Sequence, residues 1–164
     1  MKNVYTYEFN LCSLSIAEEN GALCNILFSH ENIPDFFERK ENSVIKQVHK
    51  QLEEYFNGKR KAFDLPLAPR GTEFQKKIWD LLKKIPYGET RSYGQIAAMA
   101  DNPKGSRAVG MANNRNPLPV VIPCHRVIGS GGALTGYAGG LDLKQKLLEL
   151  EKSAVLGGKR DKRN

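Results

Sequence analysis

The run Pro123-Cys124-His125-Arg126-Val127 sets a thiol beside an imidazole at a proline-fixed bend. A free thiol of pKa ~8.5 is only a few per cent thiolate at pH 7, so nucleophilic chemistry at Cys124 needs a base or a positive neighbour, which His125 can supply. Side chains of adjacent residues in an extended strand point apart, so the pair can cooperate only at a turn or through an intervening water. A third ionisable group comes from the C-terminal segment. There Leu141, Leu143, Leu147, Leu148 and Leu150 sweep out a broad apolar helical arc, and Glu151 falls inside it with Lys144 nearby. A carboxylate on an inward face needs a fixed partner. Two readings fit the spacing: a Cys-His-Glu relay through His125, or a structural pair of Glu151 with Lys144 or an arginine.

Between thiol and helix lies a glycine-dense stretch, residues 129–140, which is either a plain flexible loop or a wrap of backbone N–H groups around a flat ligand. It carries neither GxGxxG after a strand nor GxxxxGK[ST], so no dinucleotide or ATP is inferred and no cofactor is expected. The three cysteines, Cys12, Cys24 and Cys124, are odd in number and lack CxxC spacing, which suggests neither a disulfide framework nor a zinc site.

The elements that must position these groups are legible in outline. Residues 11–28 read as a β-hairpin around Asn20-Gly21, with Cys12 and Cys24 as strand-packing residues. From Ser43, Ile45, Val48, Leu52, Tyr55 and Phe56 recur at helical spacing and stop at Asn57-Gly58. Leu65 to Gly71 has the proline and glycine punctuation of a linker. Beyond it, Thr72-Glu73-Phe74-Gln75 fits a capping box opening a helix that Pro86 ends, and Ser92-Tyr93-Gly94-Gln95 repeats the pattern. Ser106 is expected to cap a third, short helix reaching to about Asn114. Two short helices joined by a glycine-bearing turn resemble a helix-turn-helix. Val120-Val121-Ile122 reads as a buried strand leading into Cys124.

On the third helix, Ala108, Val109 and Ala112 are expected to pack inward, and Ser106, Gly110, Asn113 and Asn114 to face outward with Arg107 at the edge. Major-groove readers present long side chains, whereas Gly110 lets the helix backbone approach its partner closely. A minor groove roughly 6 Å wide admits a helix only if the groove widens and the helix face is small. Arg107 beside that face is either solvated or inserted into a duplex, and Tyr93 is either half-buried or a phosphate contact.

The chain has 164 residues, net charge +7, 40% hydrophobic and 26% charged content, values that exclude a wholly disordered chain and favour a polyanionic partner. No apolar run approaches a bilayer span, and Glu8 interrupts the N-terminus before a signal-peptide core forms, so an intracellular, cytoplasmic protein without a membrane partner is expected. The expected fold is α/β in two lobes. Residues 1–68 form an N-terminal antiparallel sheet with a helix, residues 69–156 a mainly helical winged helix-turn-helix lobe with the thiol, and residues 157–164 a frayed basic tail.

Asn116-Pro117 through Ile122-Pro123-Cys124-His125-Arg126-Val127-Ile128-Gly129, with Tyr137-Ala138-Gly139-Gly140, resembles the O6-alkylguanine-DNA alkyltransferases, also called methylated-DNA-protein-cysteine methyltransferases. The resemblance covers the second half, from about Gly71 to Leu156; the first half matches in size and strand-helix character only. It implies DNA repair in which Cys124 irreversibly accepts an alkyl group from O6 of guanine, with His125 and a water removing its proton and Glu151 orienting His125. It implies Asn116 as a hinge between recognition helix and active site, and Tyr93 as a phosphate or flipping residue. Arg107 would fill the gap left by the flipped guanine, with Ser106 and Gly110 on the small DNA face. Val127 would offer its carbonyl to the base, and Tyr137 with the Ala138 backbone would close the pocket. Some members carry serine where Ala138 stands, and some have an N-terminal zinc site whose cysteines this chain lacks. The implied partner is double-stranded DNA bound through the minor groove by a monomer with the damaged base flipped out.

Three rival readings have their own marks. Lesion sensors that do not repair resemble this chain with tryptophan at the thiol position, which Cys124 argues against. A winged-helix regulator would prefer an undamaged sequence, which the small face around Gly110 disfavours. A cysteine hydrolase would turn over an ester or peptide, and no separate feature supports it.

Overall fold

Three seven-residue strands open the chain: β1 (Lys2–Glu8), β2 (Ser13–Glu19) and β3 (Ala22–Phe28). In this computed structural model, which describes residues 2–161 and side chains as far as residue 156, they form one unit (Met1–Arg70), followed by a second (Gly71–Asn164). The β2–β3 hairpin closes on Asn20 and Gly21, with φ of 53° and 83°. Two positive φ values are what a two-residue hairpin turn with the twist of its strands requires, and Asn-Gly supplies them at least steric cost. Strand β1, not foreseen in the sequence, pairs antiparallel with β2, and β4 (Glu38–Arg39) adds in parallel, giving the order β3-β2-β1-β4.

Helix α1 (Ser43–Phe56) packs on this sheet through Ile45, Val48, Leu52 and Tyr55, all fully buried, and ends at Asn57 as its periodicity predicts. Its N-cap, Asn42, accepts from the Ile45 N–H at 2.9 Å. The same side chain donates to Glu18, which Asn3 and the Gly21 N–H also reach, so a buried carboxylate ties strand, turn and helix together. Cys24 packs in β3 as expected. Cys12 is half-buried and lies just before β2, at a turn in which its carbonyl accepts from the Phe9 N–H. Residues 66–68 of the linker run beside β3, with Leu23 bonded to the carbonyl of Pro66 and the N–H of Ala68.

In the second unit, capping boxes at Thr72/Gln75 and Ser92/Gln95 start α2 (Glu73–Leu82) and α3 (Tyr93–Met99) as the sequence predicts. Helix α4 (Ser106–Asn114) follows, and the three pack on one another. The fully buried indole of Trp79 locks α2 to α4 by donating to the Ala112 carbonyl at 2.9 Å. Strands β5 (Arg91–Ser92) and β6 (Val127–Ile128) pair in parallel. Helix α5 (Leu141–Asp161) ends the described chain. Glycines 157 and 158, expected to begin a frayed tail, lie within its backbone, and the last three tail residues fall outside the described ones.

Three local expectations are corrected. Residues 120–122 are buried but form a turn instead of a strand, because Pro117, Pro119 and Pro123 remove the N–H groups a ladder needs. Helix α4 is capped by Gly105 without a side-chain bond, and Ser106 is its first residue. The helix is also rolled from its expected orientation: Ala108 is exposed, whereas Asn113 is buried through a hydrogen bond to the chain around Cys124. Val109 and Ala112 face inward as expected.

Candidate active site

The approach to the thiol is a knot of short-range bonds. Asn116 clamps it from both sides, donating through Nδ2 to the Ile122 carbonyl at 2.8 Å and accepting from the Leu118 N–H at 2.9 Å. Ile122 also donates to the Leu118 carbonyl. Inside this turn Val120 has φ of 74°, left-handed backbone that a β-branched residue adopts only when its surroundings enforce it, at a cost of about 1–3 kcal/mol. Such strain concentrates at sites where chain direction matters more than stability. Here it turns the buried run so that Cys124 starts a 3-10 turn, Cys124–Arg126.

That turn spreads three consecutive side chains around its axis and gives each a different environment. Cys124 is 5% exposed. Burial pushes its thiol up to about 11, against the opposing pull of the Asn116 side chain, the Lys144 charge and two backbone N–H groups. Asn113, on α4, donates to the Cys124 carbonyl at 3.4 Å, linking the helix to the thiol's own backbone.

His125 is fully buried and lies 2.7 Å from Glu151 on α5, Nε2 to Oε2. Arg126 grips the same carboxylate through Nε at 2.8 Å and a terminal guanidinium nitrogen at 3.1 Å, and donates to the Ile85 carbonyl at 2.8 Å. The Gly88 N–H reaches Glu151 at 3.2 Å. Gly88 has φ of 81°, and a side chain there would meet Val155 at 2.7 Å, so glycine both turns the chain and lets its N–H approach. Burial raises the Glu151 carboxyl, but the hydrogen bonds of His125 and Arg126, the Arg126 charge and, once acid has protonated the ring, the His125 charge outweigh it and hold the group at about 2. An ionised carboxylate only accepts, so His125 must present Nε2–H to it, which leaves Nδ1 as the basic nitrogen. Burial lowers the His125 pKa despite Glu151, so the imidazole rests neutral. Glu151 thus pairs with His125 and with an arginine, Arg126.

Lys144, near Glu151 in sequence, bonds elsewhere: its Nζ donates to the carbonyls of Val127 at 2.6 Å and Thr135 at 2.7 Å. Val127 is buried at the end of the turn. Tyr93, half-buried, has its ring beside Gly110, where an added Cβ would sit 3.8 Å away, and its hydroxyl accepts from Thr135 at 3.1 Å. Ser106 and Tyr137 are half-buried, and Arg107 and Ala138 are exposed. Among the described residues no group of three or more His, Cys, Asp or Glu is placed to hold a metal ion, and no helix is long and apolar enough to cross a membrane.

Sequence reasoning missed Arg126, Lys144 as a carbonyl clasp, Asn113 and Gly88. Arg126 stood inside the motif, but its carboxylate partner lies 25 residues further on, beyond any local pattern. Asn113 was assigned to the wrong face, and nothing local in the sequence marks Gly88 as a donor to residue 151.

Two families match almost the whole chain. The one described as 6-O-methylguanine DNA methyltransferase, DNA binding domain, matches residues 73–153, and the one described as 6-O-methylguanine DNA methyltransferase, ribonuclease-like domain, matches residues 4–69. The constitutive methylated-DNA--protein-cysteine methyltransferase of Bacillus subtilis is 48% identical over 158 residues, covering 92% of this chain and 96% of that one. The methylated-DNA--protein-cysteine methyltransferase of Methanosarcina acetivorans is 59% identical over 121 residues, 74% of this chain and 77% of that one. Among solved structures, Mycobacterium tuberculosis OGT in complex with DNA superposes with a TM-score of 0.88 at 41% identity, covering 93% of this chain and 94% of that one.

Proposed function

Because the chain belongs to the 6-O-methylguanine DNA methyltransferase family, we propose that it repairs DNA by moving an alkyl group from O6 of guanine onto its own Cys124. The observation that carries the assignment to this residue is the buried Glu151–His125 pair, fixed by Arg126 and Gly88, on the residue next to a thiol held in a strained turn.

With its thiol near 11, the resting site holds S–H beside a neutral imidazole. The proton passes through a water to Nδ1 of His125, and Glu151 stabilises the imidazolium as it forms. The sulfur attacks the alkyl carbon, a C–S bond forms, and the bond from that carbon to O6 breaks. The electron pair stays with the guanine, which recovers a proton from the imidazolium. The thioether is not cleaved by water, so each molecule acts once. Asn116 holds the turn at which recognition helix and thiol meet.

An O6-alkyl group lies within the base stack, so the nucleotide is flipped out at a cost of a few kcal/mol. Helix α4 enters a widened minor groove with Ser106 and Gly110 closest to the backbone, Arg107 fills the vacated place in the stack, and Tyr93 meets a phosphate. Lys144 uses one lone pair of the Val127 carbonyl, and the second is left for an amino group of the base. Tyr137 and the Ala138 backbone close over it. One chain carries every group the reaction uses, so it works as a monomer, and its need for a free thiol fits the reducing cytoplasm.

A titration tests this. Increasing amounts of a duplex with one O6-methylguanine should give restored guanine that stops at one per protein molecule. Guanine beyond that limit would mean a turning-over enzyme, and lesion binding with none restored would mean a sensor.

A further inference from the structure

Tyr93 is held at both ends by one segment of chain. Its backbone follows β5, whose Arg91 and Ser92 pair with Val127 and Ile128 of β6, directly after the turn that carries Cys124. Its hydroxyl accepts from Thr135, further along that segment, at 3.1 Å. Thr135 is exposed, yet each part of it has a neighbour. Its carbonyl accepts at 2.7 Å from the buried Lys144, which also donates to the Val127 carbonyl at 2.6 Å. Its methyl lies over Gly129, where an added Cβ would meet Cγ2 at 3.5 Å. The next residue, Gly136, lies against the side-chain amide of Asn114 at the end of α4, 3.3 Å from where a Cβ would stand.

The direction of the bond to Tyr93 decides what the phenol can do. A phenol has one proton and also accepts, so one that accepts from Thr135 keeps its own proton for a different partner. Accepting a bond also polarises the O–H and strengthens it as a donor. The phosphate oxygens of DNA carry no proton and take only donors. We propose that Thr135 is a positioning residue for Tyr93: it donates to the phenol oxygen and so aims the phenol proton at a phosphate beside the flipped nucleotide. The contact with the DNA backbone and the Val127 carbonyl that meets the base then share one anchor, Lys144. This rests on Tyr93 meeting a phosphate.

The test is affinity for a duplex with one O6-methylguanine, read by fluorescence anisotropy in a Cys124→Ala background, where no transfer follows binding. Thr135→Val keeps the methyl, the shape and the carbonyl and removes the donor. It should weaken binding about fivefold, and adding it to Tyr93→Phe should cost nothing beyond Tyr93→Phe alone. Thr135→Ser, which keeps the hydroxyl, should bind like the parent. A second set of duplexes carries a methylphosphonate in place of each phosphate next to the lesion in turn, which removes the charge and one acceptor oxygen. One position should cost the parent about tenfold and cost Thr135→Val and Tyr93→Phe several-fold less, a difference that a merely structural threonine would not produce. Unchanged binding by Thr135→Val, or a loss that adds in full to that of Tyr93→Phe, overturns the proposal. Binding by Tyr93→Phe equal to the parent's would show that Tyr93 meets no phosphate, and the proposal falls with that contact. If the affinities behave as expected while wild type restores no guanine, the repair function is contradicted and the positioning by Thr135 stands.

Discussion

Each unit of this protein buries one cysteine and one glutamate, and the two pairs are built for different ends. Cys24 and Cys124 are 6% and 5% exposed, Glu18 and Glu151 3% and 1%. Cys24 sits in the middle of a strand, donates to the Ala17 carbonyl and packs with Val4, Ile33 and Phe37. Cys124 follows a turn strained at Val120 and clamped by Asn116, and its own carbonyl accepts from Asn113. Glu18 is reached by two neutral amides and a backbone N–H, whereas Glu151 is reached by an arginine, an imidazole and a backbone N–H. Burial raises both thiols, so burial alone does not mark a nucleophile. The difference lies in the imidazole that follows Cys124 in sequence, held by an ionised carboxylate; nearby cations alone do not mark a nucleophile, since Lys2 and Arg70 act on Cys24 as well.

The comparison breaks most visibly at the glutamates. Glu151→Gln should lower the rate of methyl transfer at least about 100-fold, by removing the stabiliser of the imidazolium. It should also cost about 3–5 kcal/mol in denaturant unfolding, because Arg126 is left buried without its counter-charge. Glu18→Gln should cost about 1–2 kcal/mol and leave the transfer rate unchanged. A repair defect in Glu18→Gln matching that of Glu151→Gln would erase the distinction.

Acid sharpens it. The folded Glu151 carboxyl at about 2 lies below its unfolded value of 4.5, so its contribution is fully present above about pH 4.5 and is lost as pH falls through about 2. The difference corresponds to about 3 kcal/mol. His125 acts in the same direction, since burial holds its folded pKa below 6.5 and protonation favours the unfolded chain. Stability measured from pH 7 to pH 2 should therefore fall, and the component below pH 4.5 should be missing in Glu151→Gln and present in Glu18→Gln.

Smaller effects concern the exposed face of α4. Arg107→Ala should slow repair about tenfold in duplex and less in single-stranded DNA, because a stack has to be held open only in the duplex; equal losses would remove that role. Gly110→Ala meets only ordinary contact with Tyr93 and should leave stability unchanged or raise it by up to about 1 kcal/mol. Its affinity for methylated duplex should drop several-fold, measured by fluorescence anisotropy, if the helix backbone approaches DNA at this position.

Much of this was legible before the structure. The capping boxes at Thr72 and Ser92, the Asn20-Gly21 turn and the periodicity of α1 are local signals with local causes, and each element forms where its signal stands. The motif at Cys124 and the inward place of Glu151 were readable from residue type and helical arc. Strand β1 was not, because its sequence does not alternate cleanly and its partners lie elsewhere in the chain. Residues 120–122 misled because β-branched residues favour strands, while the flanking prolines and a clamp from Asn116 decide otherwise. Gly88, Arg126 and Lys144 acquire their meaning from contacts spanning 63, 25 and 17 residues, which no local pattern reports.

The central claim, that one of three cysteines is the acceptor, is tested most directly by peptide mass spectrometry after mixing the protein with a duplex bearing a trideuteromethyl group on O6 of one guanine. The account predicts one labelled methyl on the Cys124 peptide, none on those of Cys12 and Cys24, and none anywhere in Cys124→Ala. Label on Cys24 or Cys12, or restored guanine with Cys124 unmodified, would contradict it.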